Sequence, residues 1–194
     1  LAIKLSFVNE IASICEQTGA DIKDVATGFG LDSRIGEKFL QPGPGWGGSC
    51  FPKDTRALLS TSEAVGAPSQ LVKAAVSSNN ETFSRIVNRL SACFDGNLMG
   101  KNVAVWGIAF KANTDDTRES PALEIVSRLV DAGAIVSAYD PIAHLPERFG
   151  TVTQTNTALE AVQSADALIV LTEWPEFRTL NAENFTSAMK TPYV

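Results

Sequence analysis

The sequence has few of the residues that mark secreted, metal-binding or membrane-spanning proteins. Its 194 residues include three cysteines, at positions 15, 50 and 93, and one histidine. Three widely spaced cysteines form neither a disulfide framework nor a zinc site. This pattern is typical of a protein in the reducing cytoplasm. No apolar run approaches the roughly 18 residues of a membrane span. We therefore expect a cytoplasmic protein with no metal site and no membrane partner.

Basic residues are also scarce. The chain has 16 Lys and Arg against 22 Asp and Glu, a net charge of -6. A broad basic surface is thus absent, which argues against nucleic acid as a partner. An anionic ligand would have to be bound by a few local cations. Because the sequence opens on Leu1 inside a helical pattern rather than on Met, we expect it to be a fragment of a longer protein.

Residues 1–95 carry helical patterns and no strand signal. The predicted helices cover about 1–16, 21–30, 32–40, 54–65 and 69–94, with a glycine- and proline-rich loop over 42–48. The first helix is apolar on most sides and is expected to be mostly buried. The last is long enough, at about 39 Å, to link two domains or to build a dimer interface. We predict an all-helical domain over 1–95 that forms a homodimer through its helices.

Residues 96–194 alternate between strand and helix patterns, which is typical of a parallel sheet covered by helices. The predicted strands cover 103–107, 135–139 and 167–171, and the predicted helices cover 120–133 and 158–164. The turn after the first strand contains a single glycine, Gly107. We predict a Rossmann-like α/β domain that lacks the pyrophosphate-binding glycines. The fold class is therefore α followed by α/β.

Cys50 is the one cysteine whose surroundings favour reactivity. It follows the glycine-rich loop, precedes a predicted helix and lies three residues before Lys53, so the helix terminus and the ammonium would both favour a thiolate. The alternative is a small apolar side chain packed under the loop, the role expected for Cys15 and Cys93. Asp54 is either a general base near that thiolate or the N-cap of the following helix. Pairing Cys50 with His144 would instead make a hydrolase.

Three basic residues lie on or beside loops of this acidic chain, namely Arg34, Lys111 and Arg118. Arg118 stands just before Ser120, a predicted helix N-cap, where an anion would meet both a guanidinium and the positive end of a helix. The commoner alternative is an ion pair of Arg118 with a neighbouring acidic residue at 115, 116 or 119.

Residues 43–54, Gly-Pro-Gly-Trp-Gly-Gly-Ser-Cys-Phe-Pro-Lys-Asp, closely resemble the active-site loop of the UDP-glucose 6-dehydrogenases, within the UDP-glucose/GDP-mannose dehydrogenase family. Other segments look like family landmarks in the family's order: 9–10, 34–36, 107–111, 115–121, 139–141 and 172–174. The resemblance covers essentially the whole chain. The triplet Thr172-Glu173-Trp174 favours UDP-glucose over GDP-mannose or an N-acetylmannosamine nucleotide.

The resemblance implies an NAD-dependent oxidation of UDP-glucose to UDP-glucuronate in two steps, a reaction that serves polysaccharide biosynthesis. Cys50 would be the nucleophile, and Asp54 would activate or position water. NAD would be contacted by Lys53 and Arg118, and the nucleotide sugar by Arg34, Gly47, Phe110 and Lys111. By the same resemblance, Arg34 would reach the neighbouring subunit's site.

The resemblance also implies that an NAD-binding domain and further catalytic residues precede Leu1, so we expect the chain alone to be inactive. Two alternatives stay open. One is a dehydrogenase of another nucleotide sugar, of the GDP-mannose or UDP-N-acetylmannosamine type. The other is a non-catalytic module for nucleotide binding and dimerisation.

Overall fold

The structure, a computed structural model, describes residues 1–194 and contains eight α-helices and four β-strands. The chain divides into two compact units, Leu1–Phe83 and Ser84–Val194. The first unit contains α1 (Ala2–Thr18), α2 (Ile22–Leu31), α3 (Phe51–Ala64) and most of α4 (Gln70–Ala92). The second contains β1 (Asn102–Trp106), α5 (Pro121–Asp131), β2 (Ile135–Tyr139), β3 (Thr153–Gln154), α6 (Ala158–Ala161), β4 (Ala167–Val170), α7 (Pro175–Thr179) and α8 (Ala182–Ala188).

The ends of α1 and α2 follow from local chemistry. Gly19 ends α1 in the left-handed region, with φ 74°, and its N–H donates to the carbonyl of Cys15. The carboxylate of Asp21 then caps α2 by accepting from the backbone N–H of Lys23, at 2.8 Å. Glycine at a helix C-terminus and aspartate at an N-cap are the residues that these positions favour, so both boundaries were predictable.

Three details of the helical region differ from the sequence-based predictions. Residues 32–40 form turns rather than a helix, because Gly36 and Phe39 adopt φ values of 69° and 62°. Helix α1 is not mostly buried, since Ile3, Phe7 and Ile14 are exposed. Helix α3 begins at Phe51 rather than at residue 54. Because of this earlier start, Asp54 lies inside the helix rather than at its N-cap.

The second unit is built on one fully parallel sheet with the strand order β3-β2-β1-β4. Helix α5 lies between β1 and β2 in the chain and turns an apolar face inward, with Ile125, Val126 and Leu129 fully buried. Ser120 caps α5 and Pro121 is its first residue, as the sequence predicted. The fold class, helices followed by a parallel α/β unit, is thus confirmed.

The sequence did not indicate the two-residue strand β3, nor the helices α7 and α8 at the end of the chain. Aromatic contacts hold this part to the sheet: the Trp106 ring stacks on Phe177 at 5.2 Å and meets Phe185 edge-on at 5.1 Å. No helix of the structure is both long and apolar enough to cross a membrane.

Candidate functional site

Cys50 is the N-cap residue of α3, and its side chain is exposed. The alternative of a thiol packed under the loop is therefore wrong. The backbone N–H of Asp54 donates to the Cys50 carbonyl at 2.8 Å, so Asp54 lies in the first helical turn and is not the N-cap. Because the two residues are four apart at a helix start, their side chains lie on the same side of α3.

Lys53 and Asp54 share that first turn and remain open to solvent. Their charged atoms are 3.4 Å apart, and their side chains are 71% and 68% exposed. A carboxylate in the first turn is favoured by the positive end of the helix, but an exposed ion pair of this kind adds little stability. The thiol, the ammonium and the carboxylate therefore form an accessible group, and its ion pair contributes little to stability.

The glycine-rich loop before Cys50 is fixed by buried polar side chains from two helices. From α4, Asn79 accepts from the Trp46 backbone N–H at 2.8 Å and donates to the Trp46 carbonyl at 2.9 Å. From α1, Asn9 accepts from the N–H of Gly43 at 2.9 Å. The Trp46 indole N–H donates to Ser6 Oγ at 2.9 Å, and that hydroxyl in turn donates to the carbonyl of Ala75.

Gly45 shows how closely this loop is packed. Its φ is 116°, and a Cβ at this position would lie 2.5 Å from Phe83 Cε1 and 2.9 Å from Asn79 Oδ1. Only glycine fits both the backbone angle and the space. Gly47, a predicted binding residue, is half-buried two residues further along the same loop.

Arg34 lies on the turn that replaces the predicted short helix. Its guanidinium forms a forked ion pair with Asp32, which lowers the pKa of that carboxyl. The ammonium of Lys4, on α1, donates to the carbonyls of Ile35 and Gly36 at 2.8 and 2.9 Å. The turn is therefore held by two cations, while the Arg34 side chain itself remains exposed.

The second unit brings its polar groups together at the carboxyl ends of β1, β2 and β4. Strand β2 pairs with one edge of β1, and β4 pairs with the opposite edge. The strand order therefore reverses at β1. In open parallel sheets, ligands bind at the carboxyl ends of the strands where the order reverses. Gly107 follows β1 with φ 90°, and a Cβ there would lie 2.4 Å from Thr172 Cβ.

One buried carboxylate organises this edge. Asp140 Oδ2 accepts from the N–H groups of Ile108 and Ala109 and from the Trp174 indole, at 2.8 to 3.1 Å. Its Oδ1 accepts from the N–H groups at 142 and 143. Five neutral donors thus satisfy the carboxylate, and the loops after β1, β2 and β4 are tied to one another through it.

Three of the predicted ligand-binding residues lie on the loop between β1 and α5. Lys111 Nζ lies 5.2 Å from the centre of the Phe110 ring, and the Phe110 N–H donates to the Asp116 carbonyl. Arg118 forms a forked ion pair with Asp116 and lowers the pKa of that carboxyl to about 2. The predicted ion pair is confirmed, and it holds an exposed guanidinium two residues before the N-cap of α5.

The structure therefore groups the predicted site residues within each unit. Cys50, Lys53 and Asp54 share one turn, and Phe110, Lys111 and Arg118 share one loop. His144 lies in the second unit, where its Nδ1 is 3.4 Å from Gln154 Nε2. The expectation for Cys93 is wrong, because this cysteine is exposed, whereas Cys15 is buried as expected.

Sequence reasoning missed the residues that support the site, above all Ser6, Asn79 and Asp140. A signal for Asn79 was present. It follows Ala75 and precedes Phe83 by four residues each, so a polar residue interrupts the buried stripe of α4. A polar side chain inside such a stripe indicates a specific buried partner.

Comparison with known proteins identifies the family of this chain. Residues 1–81 match the central domain of the UDP-glucose/GDP-mannose dehydrogenase family, and residues 104–194 match that family's UDP binding domain. A UDP-glucose 6-dehydrogenase of Rhizobium meliloti (strain 1021) is 46% identical over 99% of this chain and 44% of its own length. UDP-glucose 6-dehydrogenase TuaD of Bacillus subtilis (strain 168) is 43% identical over 100% of this chain and 42% of its own length.

Among solved structures, a UDP-glucose dehydrogenase from the hyperthermophilic archaeon Pyrobaculum islandicum is similar with a TM-score of 0.86 and 32% identity, over 100% of this chain and 48% of that one. A UDP-N-acetyl-mannosamine dehydrogenase from Staphylococcus aureus reaches a TM-score of 0.78 at 27% identity, over 98% of this chain and 43% of that one. The chain spans less than half the length of these relatives.

Proposed function

Because the chain belongs to the UDP-glucose/GDP-mannose dehydrogenase family, we propose that it forms the central and nucleotide-sugar-binding parts of an NAD-dependent UDP-glucose 6-dehydrogenase. The observation that carries this proposal is the exposed thiol of Cys50 at the start of α3. The loop before it is held by Asn9 and Asn79, and the carboxylate of Asp54 lies in the same first turn. An alcohol oxidation that stopped at the aldehyde would not need such a nucleophile.

The chemistry explains why a thiol is required. In the first oxidation the C6 alcohol of UDP-glucose loses a proton and a hydride and becomes an aldehyde. The Cys50 thiolate then adds to the aldehyde carbon, which gives a thiohemiacetal that still carries the second hydride. After loss of that hydride and of the hydroxyl proton the carbon is a thioester of Cys50. Attack by water releases the carboxylate and regenerates the thiolate.

Asp54 is the residue of this chain that we assign to the water step. Its carboxylate is exposed and lies on the same side of α3 as Cys50. A carboxylate in that place can accept a proton from, or orient, the water that attacks the thioester. Across both oxidations and the hydrolysis, one UDP-glucose and one water give one UDP-glucuronate, two hydrides and three protons.

NAD+, when bound, accepts one hydride in each oxidation. The turn after β1 does not suit its diphosphate, because the space above Gly107 is filled by Thr172. The cations Lys53 and Arg118 do suit phosphate oxygens, since both are exposed and each is held near a neighbouring carboxylate. We therefore assign to these two residues contacts with an NAD molecule that another part of the full protein holds.

The nucleotide sugar is assigned to the carboxyl edge of the second unit and to loops of the first. Phe110 is half-buried beside the ammonium of Lys111, which suits a nucleotide with negative phosphates. In the first unit, Gly47 offers backbone on the fixed loop and Arg34 an exposed guanidinium. Arg34 then serves the site of a second subunit.

A homodimer through the helical unit is part of the proposal. Helix α1 exposes Ile3, Phe7 and Ile14, which are spaced four and seven residues apart and so form one stripe, and α4 exposes Leu71. Apolar side chains arranged in a stripe on a helix surface favour burial against another chain.

The test uses the full-length protein with UDP-glucose and NAD+. We expect two NADH per UDP-glucose and UDP-glucuronate as the product, with lower rates on UDP-N-acetylmannosamine and GDP-mannose. Equal or higher rates on either of those would assign the chain to another branch of the family. UDP binding without any NADH would support the non-catalytic module. Residues 1–194 alone should produce no NADH.

A further inference from the structure

We propose that Asn79, buried on α4, is a positioning residue for Cys50. The inference rests on the proposed function in one respect, that Cys50 is the nucleophile. Asn79 contacts neither the thiol nor any group assigned to substrate. Its effect would pass through the backbone of Trp46, four residues before Cys50.

The pairing of Asn79 with Trp46 is complete. The side chain is 5% exposed, its carbonyl accepts from the Trp46 N–H, and its amide donates to the Trp46 carbonyl. An asparagine amide presents the same donor and acceptor as a backbone peptide, so it holds Trp46 as a neighbouring strand would. Removing it leaves a buried N–H and a buried carbonyl without partners, which costs more than the bonds themselves contribute.

The Trp46 side chain extends this clamp toward the thiol. Its indole N–H donates to Ser6 Oγ, and its ring packs edge-on against the ring of Phe51 at 6.2 Å. Phe51 is the first residue of α3 and directly follows Cys50. Trp46 therefore fixes the chain on both sides of Cys50, four residues before it and one residue after it.

The segment between these two fixed points needs such a restraint. Gly47 and Gly48 lie within it, and Gly48 has φ 83°, so the intervening backbone has many accessible conformations of its own. With Trp46 released, Cys50 would keep its exposure but lose its fixed location at the start of α3. A displacement of about 1 Å at a reacting atom can lower a rate by about a hundredfold.

The first test is alkylation of the 194-residue chain with iodoacetamide, read by peptide mapping as the ratio of the Cys50 rate to the Cys93 rate. Cys93 is exposed and belongs to the second unit, so it serves as the internal standard. Asn79→Ala should lower the ratio about twofold or more, because the sulfur leaves the N-terminus of α3, where the helix dipole favours an anionic nucleophile. Asn79→Asp, which keeps the acceptor but sets a carboxylate oxygen against the Trp46 carbonyl, should give an intermediate ratio. Asn80→Ala, the same residue type at the next and exposed position, should leave the ratio unchanged.

Because Cys50 is already exposed in the parent, loss of the clamp cannot raise its rate by uncovering it. An unchanged or increased ratio in folded Asn79→Ala would overturn the proposal. If that variant does not fold, Ser6→Ala removes only the acceptor of the Trp46 indole and should lower the ratio in the same direction by a smaller factor. An unchanged ratio in folded Ser6→Ala would then overturn the proposal.

The second test is steady-state kinetics of the full-length enzyme. Asn79→Ala should lower kcat about tenfold or more and change the KM for UDP-glucose by a smaller factor, because Gly47 is the one assigned substrate contact on the released segment while the nucleophile itself is misplaced. A raised KM at unchanged kcat would contradict the proposal. A full-length parent that reduces no NAD+ would refute the proposed function instead, and the alkylation ratio would still decide the role of Asn79.

Discussion

The two units fix their loops in different ways. In the helical unit, the loop before Cys50 is held by the neutral side chains Ser6, Asn9 and Asn79, while the reactive groups stand outside on the surface. In the sheet unit, a single buried carboxylate, Asp140, holds three loops at the edge of an apolar core. The difference teaches that the polar groups at the candidate site are separate from those that stabilise the loop in the first unit, whereas in the second unit one buried group ties the candidate site to the core.

The anchors of the loop before Cys50 are all neutral. Serine and asparagine satisfy the polar groups of that loop without adding charge. In the sheet unit the Asp140 carboxylate faces inward and is fully satisfied by five donors, so it does not oppose the binding of an anionic ligand that we propose for Phe110 and Lys111.

The largest expected effect is on chemistry in the first unit. In the full-length protein, Cys50→Ala should lower the formation of UDP-glucuronate about a thousandfold or more, about 4 kcal/mol in activation free energy, because the aldehyde no longer has a nucleophile. Its free energy of unfolding should change by less than about 0.5 kcal/mol, since the side chain is exposed. Cys93→Ala is the control. Sustained turnover by Cys50→Ala would remove the main difference between the units.

The next largest effect is on stability in the second unit. Leu129→Ala should lower the free energy of unfolding by about 3 kcal/mol, because the side chain is 0% exposed and leaves a cavity under the sheet. Leu58→Ala, on α3 with 50% exposure, should cost less than about 1 kcal/mol. Urea denaturation of the chain measures both. Similar losses in the two variants would contradict the contrast.

Asp54→Asn should affect catalysis and leave folding unaltered. Since Asp54 is not the N-cap, the substitution removes only an exposed ion pair and a favourable helix-terminus charge, together below about 1 kcal/mol. Turnover should fall about a hundredfold, with the Cys50 thioester accumulating because its hydrolysis stalls. Intact-mass spectrometry of the full-length variant mixed with UDP-glucose and NAD+ detects the adduct. Near-normal turnover without an adduct would defeat the assignment.

Gly107→Ala tests whether the edge of the sheet is as tightly built as the loop before Cys50. The added Cβ would lie 2.4 Å from Thr172 Cβ and 2.7 Å from its backbone N, at a φ of 90°. We expect a loss of about 2 kcal/mol in unfolding free energy. Gly96→Ala, also at positive φ but with nothing within 4 Å, isolates the backbone cost and should lose less. Equal losses would show that Thr172 moves aside freely.

The smallest effect concerns the Asp116–Arg118 pair. Arg118→Gln should raise the pKa of Asp116 from about 2 toward its ordinary value of 3.8, as measured by NMR titration. Because the pKa is lowered in the folded state, the pair contributes stability above about pH 4 that is lost as the pH falls toward 2. The contribution should stay below about 1 kcal/mol, since Arg118 is 72% exposed. A pKa of about 2 in Arg118→Gln would assign the shift to another cause.

Local chemistry made part of the fold predictable. The caps Asp21 and Ser120, the stop at Gly19 and the apolar runs of β1, β2 and β4 are each determined by a few neighbouring residues. The segment 32–40 was mispredicted because its turn is fixed both locally, by Asp32, whose carbonyl accepts from the backbone N–H groups of Ile35 and Gly36, and by a distant residue. Lys4 donates to two carbonyls of that turn from 31 and 32 positions away.

The same reason separates the predictable from the unpredictable part of the site. The sequence singles out Cys50 and Lys53 because both lie in one short segment between a glycine-rich loop and a helix. The roles assigned to them come from the resemblance to the family. The Asn79–Trp46 pairing spans 33 positions and the Asp140–Ile108 bond spans 32. Such partners meet only after the chain has folded, so the polar residue in the buried stripe of α4 indicates that Asn79 has a buried partner but does not identify Trp46 as that partner.

The parallel sheet also has a consequence for synthesis on the ribosome. Strand β4 pairs with β1 although Asn102 and Asp166, which join the two at their start, are 64 positions apart. At a synthesis rate of about 5–20 residues per second, β4 is completed roughly 3 to 13 seconds after β1. Until then β1 pairs with β2 alone and leaves its other edge open, so this interval is when the nascent chain is most exposed to misassociation and most in need of a chaperone.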